Sequence, residues 1–170
     1  MNSRTLHPLR AALGSAAIAL ALAGTAIAPA QAQSHSHGHD ASAPTQLSLD
    51  HGKKWATDDA LRGGMGRIRT LAASNLDAAH AGKLTDAQYA ELAGKVELEV
   101  AGIVANCKLE PAADAMLHLV IADIGTGVDV MAGKEPKHAR DEGLLKVVTA
   151  VNDYSRHFAH PGFKRIRIDH

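Results

Sequence analysis

The chain has few aromatic residues, one cysteine and no excess of either charge. Only five of its 170 residues are Trp, Tyr or Phe, and the formal net charge is +0. A single cysteine excludes an internal disulfide and the C-x-x-C-H site that attaches haem c. The balanced charge offers no basic surface to nucleic acid. Because an H-E-x-x-H motif and a nucleophile–base–acid set are both missing, the sequence does not predict an enzyme.

The first 32 residues predict a signal peptide. Arg4 and Arg10 form a basic start, residues 11–28 form an apolar run of small residues and leucines, and Ala30-Gln31-Ala32 supplies a cleavage site. We therefore expect a periplasmic protein, cleaved after about Ala32, with no membrane span in its mature form. The remainder is long enough for one domain with one core.

Residues 33–55 predict a flexible linker, because Ser, His, Ala, Pro and Gln replace any apolar period in its first part. Histidines alternate at its start, at His35, His37 and His39. After cleavage at Ala32, His35 would be the third residue, where its imidazole, the free amine and two amides form a square of nitrogens suited to Cu(II) or Ni(II). The alternative is a solvated arm that binds no metal.

Residues 56–163 predict four helices of about 20 residues each, because apolar side chains recur every three or four positions. Thr57 or Asp58 can cap the first helix, Thr85 opens a capping box, and Pro111 suits the first turn of the third helix. Short joints favour antiparallel neighbours, so the prediction is an all-α protein, an antiparallel up-down-up-down four-helix bundle. Residues 164–170 form a basic tail for which the sequence suggests no role.

Glycines within the helices predict close contacts. Gly63, Gly64 and Gly66 surround Met65, and glycine inside a helix costs up to about 1 kcal/mol relative to alanine. Three such residues together indicate that the backbone approaches a neighbouring helix or a bound group. A later start of the ordered helix is the alternative. Three further glycines are expected to mark close helix crossings: Gly94, Gly125 and Gly127.

The predicted bundle brings sulfur and imidazole ligands to one of its ends. With a rise of about 1.5 Å per residue, Met65, Cys107, His118 and His157 fall in the same half of the bundle. Thioether, thiol and imidazole suit Cu(I), and the lack of a second cysteine weakens a structural zinc site. Asp114, one turn before His118, is expected to hold the ring nitrogen that faces away from the metal.

The resulting hypothesis is a periplasmic copper-binding protein for storage, delivery or detoxification. Its copper ligands would be Cys107, His118, Met65 and His157, with His35 in the arm, and its partners would be the metal ion and a periplasmic protein. Met116 is interpreted as core filler. Each ligand also has a structural alternative: Cys107 could be an inert or intermolecularly paired thiol, His118 a core histidine held by Asp114, and His157 a C-terminal histidine favoured by the helix dipole.

Two stretches resemble the haem-b bundle cytochromes in place and order: Leu61-Arg62-Gly63-Gly64-Met65 and Tyr154-Ser155-Arg156-His157. The resemblance implies electron transfer by a b-type haem with Met65 and His157 as axial ligands. The low aromatic content and the unused Cys107 and His118 depart from that pattern.

Two other patterns, Cys-x-Leu-x-Pro-x-Ala-Asp from residue 107 and His-Phe-x-His-Pro-Gly from residue 157, are similar to a group of small exported bacterial bundle proteins. That likeness supplies no function. A bundle without a cofactor, acting through protein contacts, is therefore the third hypothesis.

Overall fold

The computed structural model describes residues 44–168, which form four helices and no strand. Helix α1 spans Asp59–His80, α2 spans Asp86–Asn106, α3 spans Pro111–Met131 and α4 spans Arg140–His157. The all-α prediction with four helices is thus confirmed. The predicted signal peptide, His35 and the end of the basic tail lie outside the described residues. None of the described helices combines the length and apolarity that a membrane span requires.

The helices begin where local signals in the sequence place them. Asp58 caps α1 by accepting a hydrogen bond from the Leu61 N–H at 2.8 Å. Thr85 and Gln88 form the reciprocal capping box of α2, and Pro111 occupies the first turn of α3, where no hydrogen bond is lost. Asp58 and Thr85 each accept a hydrogen bond from an N–H group that a helix start leaves unpaired, and Pro111 has no such N–H group.

The apolar stripe of each helix is buried in one common core. On α3 every predicted stripe residue is buried, from Ala113 and Leu117 to Met131. Removing such side chains from water contributes about 1.5–3 kcal/mol for each large aliphatic group. The largest fully buried side chains include Tyr154, Phe158, Leu61, Met65, Ile68 and Ile103.

Two of the predicted close approaches are present and others are not. A Cβ on Gly64 would lie 2.3 Å from Ile103 Cγ1, so α1 and α2 are in tight contact there. A Cβ on Gly127 would lie 2.7 Å from the Gly143 carbonyl oxygen, which fixes the approach of α3 and α4. A Cβ on three other helical glycines would meet open space: Gly66, Gly94 and Gly125. Helix crossing therefore does not explain those three.

The end of the predicted linker lies against the helices. Trp55 donates its backbone N–H to the His157 carbonyl at 2.8 Å and accepts from the Ala159 N–H at 2.8 Å. Its indole N–H donates to the carbonyl oxygen of Ser48 at 2.6 Å. The Ser48 N–H in turn lies 3.4 Å from the sulfur of Met116, which is buried as expected for core filler. Leu47 and Trp55 thus pack against the core, and backbone pairing joins Trp55 to the end of α4.

The described part of the basic tail is also held against the core. The Ile166 side chain is buried, and the buried amide of Asn152 pairs with its backbone in both directions. Asn152 Nδ2 donates to the Ile166 carbonyl at 3.0 Å, and Asn152 Oδ1 accepts from the Ile166 N–H at 2.8 Å. One side chain on α4 therefore ties the tail to the core.

We expect Asn152→Ala to destabilise the protein by about 1–3 kcal/mol, because two backbone groups of Ile166 lose their partner. Urea unfolding followed by circular dichroism measures this change. The matched control is Asn106→Ala, since the Asn106 side chain is exposed and bonds only to the Gly102 carbonyl of its own helix. The control should change stability by less than about 0.5 kcal/mol. Equal losses in the two variants would contradict the role given to Asn152.

Candidate functional site

The joint between α2 and α3, residues 107–110, is here called the α2–α3 corner. Helix α2 ends because Cys107 adopts an extended conformation with φ −70° and ψ 146°. The Lys108 N–H donates to the second carboxylate oxygen of Asp58 at 2.5 Å, while the first oxygen caps α1. Asp58 therefore holds the start of α1 against the corner.

The Cys107 thiol lies at this corner, half-buried. Burial raises its pKa, and the negative charges of Asp58 and Asp114 raise the pKa further. The thiol is thus protonated at neutral pH and is a poor nucleophile. The same carboxylates that disfavour a thiolate favour a cation beside the sulfur.

His118 does not face the interior of the bundle, so the alternative that it is a core histidine is wrong. Its side chain is 64% exposed. Leu117 lies on the buried stripe, and the next residue points about 100° away around a helix of 3.6 residues per turn. His118 Nδ1 lies 2.9 Å from the Asp114 carbonyl oxygen and 3.4 Å from its carboxylate. Because a carbonyl only accepts, Nδ1 carries the proton and the Nε2 lone pair is open to a ligand.

Met65 lies in the core beneath the corner, and its side chain is fully buried. Its neighbour Gly64 contacts Ile103, which is one turn, or about 6 Å, before Cys107 along α2. Met65 therefore belongs to the level just below the thiol. Asp114 is close enough for its charge to act on the Cys107 thiol, His118 lies beside Asp114 one turn further along α3, and the Met65 side chain is within the packed interior.

His157, the other predicted ligand, is the last residue of α4. It is half-buried, and its Nδ1 lies 2.8 Å from the Asp153 carbonyl. In the core, the Tyr154 and Phe158 rings stack with centroids 5.1 Å apart. The haem ligand pair, Met65 and His157, stays a prediction.

The sequence reading missed an aromatic cluster at the end of α4. The Tyr154 hydroxyl lies 3.0 Å from His160 Nδ1, and the Phe163 ring packs edge-on against Tyr154 at 5.2 Å. Burial raises the pKa of Tyr154 and lowers the pKa of His160, so both groups are neutral at pH 7. The sequence does indicate such a cluster, because three of the five aromatic residues lie between positions 154 and 163.

Among residues 44–168, no three His, Cys, Asp or Glu side chains are arranged as a set of metal ligands. A metal ion at the corner would therefore need a change in side-chain conformation or a sulfur ligand such as Met65. His51, which is almost fully exposed, is not in such a set either.

Asp58→Ala should destabilise the protein by about 1–2 kcal/mol near pH 7, because α1 loses its cap and Lys108 loses its acceptor. Burial alone would raise the pKa of Asp58, but hydrogen bonds from Leu61 and Lys108 hold it below its usual value. This contribution is therefore present above about pH 4 and is lost as the pH falls through the lowered pKa. Urea unfolding between pH 2 and pH 7 measures the difference from the unchanged chain.

The control for this prediction is Asp59→Ala, which removes the next carboxylate from the same helix start. The Asp59 side chain is fully exposed and contacts only Arg62. It should cost less than about 0.5 kcal/mol. A stability difference for Asp58→Ala that persists unchanged at pH 2 would show that the charge of Asp58 is not involved.

Comparison with known proteins gives no relative from which to read a function. The chain matches no protein-family model, no curated protein and no solved structure at a significant level. The function is therefore argued from the site alone.

Proposed function

We propose that this chain is an exported copper-binding protein that binds Cu(I) at the α2–α3 corner, with Cys107 and His118 as its principal ligands. The observation that supports this most is the half-buried thiol beside two carboxylates. Thiolate and imidazole are ligands that suit Cu(I). The role would be storage, delivery or detoxification in the periplasm.

The electrostatics of the corner favour exchange of a proton for a metal ion. Burial raises the pKa of Cys107 most, and the charges of Asp58 and Asp114 raise it further, because a thiolate would be a third negative charge close to them. Cu(I) in place of that proton keeps the net charge of the corner unchanged, so the sulfur can bind as thiolate without adding a third negative charge beside the carboxylates. The Asp114 carbonyl and carboxylate hold the Nδ1 proton of His118, so Nε2 is the nitrogen that binds.

We infer that the four helices form an antiparallel up-down-up-down bundle, which sets the depth of the remaining ligands. Gly64 contacts Ile103, and Arg67 pairs with Glu99, so positions that rise along α1 fall along α2. Between α3 and α4 the corresponding contacts join Gly127 to Gly143 and Asp123 to Lys146.

In this arrangement the Met65 thioether approaches the copper from the core side, after a small rotation. His157 would serve as an alternative ligand at the same end of the bundle. The His-rich arm with His35 would bind Cu(II) outside the bundle.

Anaerobic titration against a chromogenic Cu(I) chelator tests the proposal. We expect about one Cu(I) per chain, with binding weakened at least a hundredfold in Cys107→Ala and about tenfold to a hundredfold in His118→Ala. The matched control is His138→Ala, since His138 is an exposed histidine that pairs with the carboxylate of Glu142 four residues later. The Cu(I) affinity of Met65→Leu is compared with that of Met131→Leu, because Met131 is also fully buried.

Cu(I) affinity unchanged in Cys107→Ala, or equal losses in His118→Ala and His138→Ala, would overturn the proposal. A parallel titration with Zn(II) tests which of the two metals the site prefers. Tighter binding of Zn(II) than of Cu(I) at the same residues would keep the site and refute copper as its ligand.

Binding should become tighter with rising pH. Because Cu(I) displaces one thiol proton, the apparent Kd should fall about tenfold per pH unit while the thiol remains protonated. For a cysteine with its usual pKa of about 8.5, Kd would stop falling a little above that pH. Because the pKa of Cys107 is raised, its Kd should continue to fall at higher pH than that. The same titration from pH 7 to pH 9.5 measures this slope. A slope that is already flat at pH 8 would show that the bound ligand is not the Cys107 thiolate.

A further inference from the structure

His160 joins the chain that follows α4 to the core of the bundle. Its ring packs against Phe163 with centroids 4.6 Å apart, and edge-on against Tyr154 with centroids 5.8 Å apart. Its Nδ1 lies 3.0 Å from the hydroxyl oxygen of Tyr154, a side chain that is fully buried. We call residues 159–168 the C-terminal segment. The segment therefore contacts the core through a histidine, whose charge depends on pH.

The Tyr154 hydroxyl depends on a neutral His160. Nδ1 of this histidine is its only hydrogen-bond partner within residues 44–168. A buried O–H group needs an acceptor, and a neutral imidazole provides one at Nδ1. Protonation places a hydrogen on both ring nitrogens, so Nδ1 no longer accepts. The Tyr154 O–H would then lie in the core without an acceptor, which destabilises the bound position of the segment.

A permanent positive charge is held close to His160. Arg62 donates from Nη1 to the Thr57 carbonyl oxygen at 2.6 Å and to the Thr57 hydroxyl at 2.9 Å. The same hydroxyl donates at 2.6 Å to the carbonyl oxygen of Ala159, the residue just before His160. The guanidinium would therefore repel a positive charge on the imidazole.

No acidic group opposes this repulsion. Burial lowers the pKa of His160, and the charge of Arg62 lowers it further. The nearest carboxylate on α1 is that of Asp58, which acts on the pKa of Tyr154 and not on that of His160. From α4 the ring meets the neutral Tyr154, and neither Phe163 nor Thr57 titrates. The bound segment therefore takes up the His160 proton at a lower pH than the released segment does.

The sign of the pH dependence follows from this difference. A released His160 titrates near the usual value of about 6.5. Above that pH both states are neutral, and the bound position has its full stability. As the pH falls below about 6.5, protonation favours the released state, until the lowered pKa of the bound state is also passed.

We propose that His160 is a pH-sensitive switch: its neutral ring holds the C-terminal segment on the bundle, and its protonation favours release of that segment. Release uncovers the ring of Tyr154, against which His160 and Phe163 pack in the bound state. The switch needs no metal ion, so it does not depend on the proposed copper site.

Hydrogen exchange followed by NMR tests the switch on the full metal-free chain between pH 7.5 and pH 5. The Ile166 N–H reports on the segment, because it donates to Asn152 Oδ1 at 2.8 Å. Titration of the His160 ring in the same samples should give a midpoint below pH 6.5. Protection of the Ile166 amide, relative to an unstructured peptide, should fall by up to about tenfold for each pH unit between that midpoint and 6.5.

The amide of Val120, in the buried stripe of α3, separates local release from unfolding of the whole bundle. Ile166 should be less protected than Val120 at every pH, because the segment opens without the helices. Equal protection of the two amides would overturn the proposal, and so would a His160 midpoint at or above pH 6.5.

His160→Gln removes the titrating ring and keeps a side-chain oxygen that can accept from the Tyr154 hydroxyl. In this variant the protection of Ile166 should change less than about twofold over the same pH range, since the group that titrates is gone. The matched control is His80→Gln, because His80 is an exposed histidine at the end of α1. It should keep the full response. A response in His160→Gln as large as in the unchanged chain would refute the role given to His160.

Discussion

The carboxylate of Asp58 joins two distant parts of the chain. One oxygen caps α1 through Leu61 and the other accepts the N–H of Lys108, just after α2 ends. The start of α1 and the α2–α3 corner are thereby fixed relative to each other. The same negative charge contributes to the raised pKa of Cys107. One side chain thus fixes a helix start and a corner, and it adds to the effect of burial on the pKa of the thiol.

Much of the fold could be predicted because its signals are local. Asp58, Thr85 and Pro111 act within one turn, and the buried stripes follow from a period that the sequence displays directly. The positions of Trp55 and Ile166 could not be predicted in the same way. Each is an apolar residue without a periodic context, and its burial depends on α4, which is distant in sequence from Trp55.

The candidate site was predictable in its location and not in its geometry. The sequence places Cys107 at a helix end and Asp114 one turn before His118, and both features are present. The orientation of His118 could have been read from its position beside Leu117, since adjacent residues of a helix do not share a face. The roles of the glycines also could not be predicted from the sequence. Gly64 and Gly127 serve contacts within the chain and Gly102 serves none, yet only coordinates separate these cases.

The pairing of Trp55 with residues 157–159 closes a loop that includes all four helices. Such a closure is slow compared with helix formation, because its entropy must be lost before the contact forms. During synthesis the helices can assemble one after another, but this joint has no partner until the end of α4 has left the ribosome. The joint between Trp55 and the end of α4 can therefore form only after all four helices have been synthesised.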